Sequence, residues 1–547
     1  MYTNWRHPSN IDDPNASVFR GRPVKDTPDN TTFNLIAGWV TDCDESHTCG
    51  GGPKPLPVRL IDVGGPESDD LARLVDIDQG MEGRYAALTY GWDLDSFGSP
   101  PTPSAPMQGG NLDAKQMPKI FQDAIQVTRR LRVRYLWIDQ LCIPPDGPGD
   151  WERDSEAFVS IYANSYITVS ATGAKHGDDG LLLHRQTRAH VRVAHARGGT
   201  QGTLLMYALP LDREFIRDYY AKMKSEPLED SVWAFQERVF SRRILHFASD
   251  QVYFECTAGL VSEDGLSHKH RYHSIEPPLE DPKSDLNKKE EAKPHGGLDF
   301  DGARGRIRWH NLLSEYTRLR PANPADKLPA ISNIARKYAT LLCDEYIAGM
   351  WRRLLFECLV WQSMECREPE GGYRAPSWSW AAVDGPALAG LPSAWDPVAV
   401  VLESFVELVD NAKPFGAVKN SWLRMEAPLV PLRLSETKTG RTGYMCLRTQ
   451  KGSGGGSVAR FDTIDGHLHK SGDVVREMTL FALVVLVVHW GECNEGSCAS
   501  DDVYQCIIAT PVDGDMERMK RVGFLLMFPS EFGPDEIASS RRVFTFV

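Results

Sequence analysis

The sequence predicts a mixed α/β fold, with a core built on a parallel sheet, a helical extension and a mostly β C-terminal region. Three observations indicate this arrangement. Residues 84–171 alternate β-favouring runs with helical patterns, residues 308–362 keep a helical periodicity, and the chain beyond Trp378 consists of short apolar runs separated by Gly, Pro and Asp. Strands that alternate with helices pair in parallel, whereas short runs between turn residues are typical of antiparallel sheets.

The chain has 547 residues, more than one hydrophobic core usually organises, so we expect several domains. The predicted regions are a disordered tail, a lead-in with cysteine and histidine, an α/β core, a charged linker, a helical extension and a β-rich region. Their bounds are 1–33, 34–80, 81–260, 276–305, 306–385 and 386–547. The first region is predicted to be disordered because it is polar and proline-rich and contains no apolar run.

Composition argues against several classes of protein. The net charge of −13 disfavours nucleic acid as a partner, since phosphate binding needs a basic face. The apolar run Leu480–Val488 has nine residues, fewer than the roughly 20 of a membrane-spanning helix, and its valines favour a buried strand. The chain shows no signal-peptide pattern, and its 11 cysteines are dispersed. We therefore expect a cytoplasmic protein with reduced thiols and no membrane partner.

The core prediction is a succession of strand, helix, strand, helix and strand. Apolar residues after Pro118 recur at three- and four-residue spacing, which gives a helix one buried face. The nearly continuous apolar run 135–143 predicts a strand covered on both faces. The five elements are predicted at about 85–90, 118–131, 135–143, 151–164 and 166–171.

Asp139 lies in that apolar run, where an unpaired carboxylate is costly. Ligands of open α/β sheets bind beyond the carboxyl ends of the strands, and Tyr90 and Trp92 follow the preceding strand. These three side chains are therefore predicted to line one crevice. The alternative is that Asp139 caps the following loop or pairs with a buried arginine. Cys142, in the same run, is interpreted as a buried and inert thiol.

Glu237 is the second buried carboxylate of interest. It follows Trp233 by four residues, which is one turn of a helix on the same face. A carboxylate beside an aromatic ring can act as a general acid or base, or stabilise a sugar cation. The alternative is an ion pair with Arg238, Arg242 or Arg243.

Cys43, His47 and Cys49 have side chains of metal-ligand type at close spacing. They lack a clear fourth ligand nearby and depart from the usual zinc spacings, although Cys493 or Cys498 could contribute. The sequence therefore favours a structural role, or none, over zinc binding, and no metal ligand is assigned from it.

The chain resembles the fungal heterokaryon incompatibility (HET) domain proteins, in motifs that cover most of residues 35–385 and occur in the family's order. The motifs that carry the resemblance are Tyr85-Ala-Ala-Leu-Thr-Tyr-Gly-Trp92, Arg134-Tyr-Leu-Trp-Ile-Asp-Gln-Leu-Cys-Ile143, Asp150-Trp-Glu-Arg-Asp-Ser-Glu156, Ala171-Thr-Gly-Ala174, Trp233-Ala-Phe-Gln-Glu-Arg238 and Arg243-Ile-Leu-His-Phe247. Segment Tyr373-Arg-Ala-Pro-Ser-Trp-Ser-Trp380 is similar to the family's downstream part. Its tryptophans are interpreted as a packing element or as an interaction surface.

The resemblance implies a role in fungal non-self recognition, where such proteins trigger growth arrest and programmed cell death. It also implies a distant relation to TIR domains and hence a TIR/flavodoxin-like core. Some TIR domains hydrolyse NAD with a glutamate four residues after a tryptophan, a spacing that Trp233 and Glu237 keep, although Ala234 stands where TIR domains have cysteine. Asp93 departs from the HET pattern and adds a charge near the predicted crevice.

The first hypothesis is therefore a cell-death effector and candidate NAD glycohydrolase, with Glu237 and Asp139 as catalytic residues. Tyr90, Trp92 and Trp233 would bind NAD as the substrate, and no cofactor is required. The second hypothesis is a non-catalytic signalling module that acts by self-association, as a homo-oligomer, or by binding a protein partner. A third, recruitment to another enzymatic task, has no specific support in the sequence.

Overall fold

The computed structural model divides the chain into two compact units, Met1–Asn287 and Lys288–Val547. The boundary falls within the charged segment 276–305. The structure describes residues 5–8, 24–47, 49, 51–65, 72–91, 107–108, 111–112, 116–143, 156–185, 191–197, 200–207, 225–265, 267–268, 300–365, 367, 369–389, 395–434, 444–449, 457–462, 479–489, 502–528 and 534–547.

The first unit combines five helices with sixteen strands among its described residues. The helices are α1 Asn30–Ser46, α2 Lys119–Arg130, α3 Asp139–Cys142, α4 Glu156–Asn164 and α5 Val232–Phe240, the last preceded by a 3₁₀ turn at Pro227–Asp230. The strands are β1 Trp5–Pro8, β2 Lys54–Pro55, β3 Arg59–Asp62, β4 Ala72–Asp76, β5 Glu82–Gly83, β6 Tyr85–Thr89, β7 Met107–Gln108, β8 Asn111–Leu112, β9 Tyr135–Trp137, β10 Ile167–Ser170, β11 Val191–Arg197, β12 Thr200–Tyr207, β13 Arg243–Phe247, β14 Val252–Cys256, β15 Gly259–Ser262 and β16 Ser267–His268.

The main sheet of this unit has eleven strands in the order β16-β15-β14-β13-β10-β6-β9-β3-β4-β8-β7. Its centre is parallel, because β6 pairs in parallel with β9 and β10, and β10 pairs in parallel with β13. The outer strands are antiparallel. All five residues of β6 are buried, as expected of a parallel strand covered on both faces. The predicted strand–helix alternation over 84–171 and its parallel pairing are confirmed.

Two expectations for this unit were wrong in part. The strand predicted over 135–143 ends at Trp137, and Asp139 begins the short helix α3. Periodicity could not separate the two because both are apolar and buried. The segment predicted as a disordered tail contains strand β1, which pairs with β12, and the start of α1. Helix α1 forms because the Asp29 carboxylate caps it, accepting from the amides of Thr31 and Thr32.

The second unit is helical at its start and mostly β afterwards, which confirms the mixed class and the β-rich C-terminal region. Its helices are α6 Phe300–Tyr316, α7 Ser332–Leu342, α8 Leu355–Leu359 and α9 Pro534–Ser539, with 3₁₀ turns at Pro324–Lys327, Pro329–Ile331 and Trp380–Ala382. Its strands are β17 Tyr346–Ile347, β18 Met350–Trp351, β19 Trp361–Ser363, β20 Ala387–Ala389, β21 Trp395–Pro397, β22 Val400–Leu408, β23 Val418–Leu434, β24 Tyr444–Thr449, β25 Ser457–Phe461, β26 Leu480–Val488, β27 Val503–Val512, β28 Asp515–Met527 and β29 Arg541–Phe546.

The strands from β21 onward form one nine-stranded sheet that is antiparallel except for the β28–β29 pair. Strand β26 is the apolar run noted in the sequence, and the confirmed strand is buried along nearly its whole length. In the tryptophan-rich segment 373–380, Trp378 and Trp380 are buried, and the indole of Trp380 donates to the Gly349 carbonyl at 2.7 Å. These tryptophans are therefore core residues. Among the described residues, no helix combines the length and apolar character that crossing a bilayer requires.

Candidate functional site

Tyr90 and Asp139 meet beyond the carboxyl ends of two neighbouring parallel strands. Tyr90 directly follows β6, and Asp139 begins α3 two residues after β9. The Tyr90 hydroxyl donates to Asp139 Oδ1 at 2.6 Å, and the Gln140 amide donates to the same oxygen at 2.8 Å. The parallel sheet therefore brings together two of the predicted site residues, and Trp92 lies outside the described residues.

Trp233 and Glu237 both belong to helix α5, which Ser231 caps through the Ala234 amide at 3.3 Å. Trp233 is half-buried and Glu237 is buried, one turn apart. Of the arginines proposed as partners of Glu237, Arg238 pairs with Glu229 and Glu255, and Arg243 pairs with Asp44.

Helix α5 covers a row of polar side chains at the carboxyl ends of three parallel strands. Thr89, Ser170 and His246 are register neighbours on β6, β10 and β13, so their side chains share one face of the sheet. A small cavity with space for about one water molecule lies here. The described residues that line it are Thr89, Ser170, Leu228, Glu229, Ala234, Phe235, Arg238, Ile244 and His246. Neither Asp139 nor Glu237 is among them.

His246 lies in a chain of hydrogen bonds that fixes the position of its proton. Its Nε2 lies 3.2 Å from Glu255 Oε2, and its Nδ1 lies 3.0 Å from the Thr172 hydroxyl. Burial lowers the pKa of His246, which favours the neutral ring. A neutral ring beside a carboxylate keeps its proton on Nε2, so Nδ1 accepts from Thr172. The Ser170 hydroxyl lies 2.8 Å from that of Thr172, which completes a relay from the cavity to the imidazole.

Arg238 completes the network and connects it to α5. Its Nε donates to Glu255 Oε2 at 3.1 Å and its Nη1 donates to Glu229 Oε2 at 2.5 Å. The Thr89 hydroxyl, in contrast, is buried and bonds to no described residue. Because buried hydroxyls are nearly always satisfied, a water or a ligand atom is expected beside it. The arrangement can therefore hold a polar group and pass a proton to or from it.

Gly173 allows the loop after β10 to approach β13 closely. A Cβ atom at Gly173 would lie 2.5 Å from the Ser249 backbone nitrogen, and the Gly173 amide donates to the Phe247 carbonyl at 2.8 Å. This close approach explains the glycine of the Ala171-Thr-Gly-Ala174 motif and positions the Thr172 hydroxyl beside Nδ1 of the imidazole.

Sequence reasoning missed His246 and Glu255 as site residues. Both are ionisable side chains in strands that are buried throughout and mostly apolar, which is the same signal that singled out Asp139. The interpretation of Cys142 as an inert thiol agrees with the structure, because burial raises its pKa to about 12.

A second cluster of reactive side chains lies elsewhere in the first unit. The sequence offered no clear fourth partner for Cys43, His47 and Cys49, but the structure places Cys256 of β14 beside them. Cys256 is remote in sequence, so spacing could not reveal it.

Comparison with known proteins identifies one family. The family model for heterokaryon incompatibility protein (HET) matches residues 85–237, from the first residue of β6 to Glu237 in α5. No curated protein and no solved structure matches the chain. The matched span contains β6, β9 and β10, the loop carrying Thr172, and most of α5, and so includes Tyr90, Asp139 and Trp233. Residues 85–237 of this chain are a HET domain, which indicates involvement in heterokaryon incompatibility.

Proposed function

We propose that this chain is an effector of fungal non-self recognition whose activation arrests growth and kills incompatible fusion cells. The observation that carries the proposal is the HET domain at residues 85–237. The candidate site described above lies within or directly beside that span. Cell death is then the output of the first unit.

We further propose that the first unit hydrolyses NAD as a TIR-like enzyme. Two features support this mechanism. Asp139 and Tyr90 present a hydrogen-bonded acid and aromatic ring beyond the strand ends, where ligands of α/β sheets bind. Glu237 is a buried carboxylate one helical turn from Trp233. The order of the four parallel strands, β9-β6-β10-β13, also supports a flavodoxin-like core because the first strand lies inside.

In the proposed reaction, water attacks C1′ of the ribose while the bond from C1′ to the nicotinamide nitrogen breaks. The electron pair of that bond stays on the pyridinium nitrogen, so nicotinamide leaves as a neutral molecule and ADP-ribose is formed. The proton of the attacking water is released to solvent. The Glu237 carboxylate stabilises the positive charge that develops on the ribose, and Asp139 and Tyr90 orient the ribose hydroxyls.

The test is the consumption of NAD by the purified full-length chain, followed by chromatography of nicotinamide and ADP-ribose. Glu237→Gln should lower the rate by at least about 100-fold, because it removes the charge with little change of shape. The matched control is Glu403→Gln, which changes an exposed glutamate of β22 and should leave the rate unchanged. Intact NAD with the parent protein, or equal rates for the parent and Glu237→Gln, would reject the enzymatic mechanism.

Expression in a fungal host separates the role from the mechanism. The parent chain should arrest growth, and Glu237→Gln should abolish the arrest if NAD hydrolysis is its cause. Arrest that survives Glu237→Gln, but is lost when self-association is disrupted, would instead assign the same role to a non-catalytic signalling module. The buried Trp378 and Trp380 do not supply that module with a surface, so its contacts would have to lie elsewhere.

A further inference from the structure

Four potential metal ligands converge at the end of helix α1. Cys43 lies in its last turn, His47 and Cys49 follow it, and Cys256 ends strand β14. The three sulfur atoms and one imidazole nitrogen all lie within 4.8 Å of one another. Cys256 and His47 are 209 positions apart in sequence, yet Cys256 Sγ lies 3.7 Å from His47 Nδ1. Folding therefore assembles a set of three thiols and one imidazole.

The spacing of these atoms is close to that of the ligands of tetrahedral zinc. With Zn–S bonds of about 2.3 Å and a Zn–N bond of about 2.0 Å, the ligand atoms of a tetrahedron are about 3.5–3.8 Å apart. The distance between Cys256 Sγ and His47 Nδ1 agrees with that edge, and the remaining separations stay below the 4.8 Å limit. Three cysteines and one histidine form one of the usual structural zinc sets.

The surroundings of the thiols are those of metal-bound thiolates. Cys43, Cys49 and Cys256 are each 4% exposed or less, which keeps water away from the cluster. Strands β14 and β15 form a hairpin whose two-residue turn is Thr257 and Ala258, and the Thr257 hydroxyl lies 2.7 Å from Cys49 Sγ. Such a donor stabilises negative charge on sulfur and fixes the ligand's orientation.

A buried arginine supplies charge complementarity. Arg243 is the cross-strand register neighbour of Cys256, so the two side chains lie on the same face of the sheet. Its Nη2 donates to Asp44 at 2.5 Å, while its buried Nε and Nη1 bond to no described residue. One Zn²⁺ with three thiolates and a neutral imidazole carries a net charge of −1, which an adjacent guanidinium would offset.

We propose that Cys43, His47, Cys49 and Cys256 bind one structural Zn²⁺. Four protein ligands fill the tetrahedron and leave no position for a substrate, so the ion stabilises the fold and takes no part in catalysis. The ion links the end of α1 to the β14–β15 hairpin, which belongs to the outer strands at the β16 end of the main sheet. Trp39 of α1, stacked on Phe254 of β14 at 6.3 Å between ring centroids, lies along the same contact.

The first test is the metal content of the purified full-length chain, measured by inductively coupled plasma mass spectrometry. We expect about one zinc per chain for the parent protein. Cys256→Ser should lose most of it, whereas Cys142→Ser, which removes another buried thiol of the same unit, should retain it. A parent protein without zinc, or equal zinc in the parent and Cys256→Ser, would overturn the proposal.

The second test uses the parent protein, so it does not require that a variant lacking one of the three cysteines folds. Replacing zinc by Co²⁺ in the parent protein should give the intense d–d bands of tetrahedral cobalt and a thiolate-to-cobalt charge-transfer band. His47→Cys keeps four ligands, so it should bind Co²⁺ and shift these bands towards those of an all-thiolate site. Absence of tetrahedral bands in the folded parent protein, or a disulfide between two of the three cysteines found by mass spectrometry, would contradict the site. Neither outcome depends on NAD hydrolysis.

Discussion

The two units each bury an arginine paired with carboxylate, but in different surroundings. In the second unit Arg521 donates to Asp462 through Nε at 2.6 Å, and to the carbonyls of Leu359 and Trp361 at 2.7 and 2.5 Å. Its guanidinium also lies 3.5 Å above the Trp361 ring. In the first unit Arg238 binds Glu229 and Glu255 and borders a cavity.

This difference separates a structural charge from a candidate functional one. Backbone carbonyls, a two-point carboxylate and an aromatic face hold Arg521 in one position, so nothing further can bind to it. The network of Arg238 joins an imidazole, two hydroxyls and a cavity that has room for another polar atom. Burial of a charge alone therefore does not indicate function. A buried charge indicates a functional site when it borders a cavity and side chains that can exchange protons.

The largest expected effect tests the structural side of the comparison. Arg521→Met should lower the free energy of unfolding of the second unit by about 3–5 kcal/mol, because it leaves the Asp462 carboxylate buried without its partner. Denaturant unfolding followed by tryptophan fluorescence measures the change. The control Arg518→Met alters an exposed arginine of the same strand and should shift stability by less than about 0.5 kcal/mol. A stable Arg521→Met protein would show that the pair is dispensable.

His310 provides a sharper test, because it is a buried base with no hydrogen-bond partner among the described residues. Neither of its ring nitrogens bonds to a described residue, and burial lowers its pKa from 6.5 to about 4. Between pH 6.5 and about pH 4, the His310 ring is protonated in the unfolded chain but stays neutral in the folded one, so the free energy of unfolding falls as the pH falls. The free energy of unfolding lost over this range is about 3 kcal/mol.

The control for this prediction is His310→Phe, which cannot titrate. Its stability should vary less with pH than that of the parent between pH 6.5 and 4, in denaturant unfolding measured across that range. Parallel curves for the two proteins would mean that a partner satisfies the ring, and the second unit would then hold a polar site of its own.

The smallest effect concerns the Tyr90–Asp139 contact. Tyr90→Phe removes a 2.6 Å hydrogen bond to a carboxylate and should cost about 1–2 kcal/mol of stability, measured by thermal unfolding. Tyr135→Phe is the matched control, since Tyr135 is a half-buried tyrosine of the neighbouring strand β9. If Tyr90→Phe is no less stable than Tyr135→Phe, the contact contributes nothing to the fold.

Sequence patterns predicted the centre of the first sheet well, because a parallel strand covered on both faces leaves a continuous apolar run. They predicted Tyr90 and Asp139 as neighbours for the same reason: carboxyl ends of adjacent parallel strands share one edge. The same patterns extended the strand through 138–143, because a short buried helix is as apolar as a strand.

The sequence by itself determined the strand–helix alternation, the HET motifs and the acids that needed an explanation. Only the tertiary structure decided which side chains meet. It places Glu255 beside His246 and Arg238, and Cys256 beside the potential ligands at the end of α1. The physical reason is that periodicity reports which face of an element is buried, whereas a site depends on register between elements that are distant along the chain.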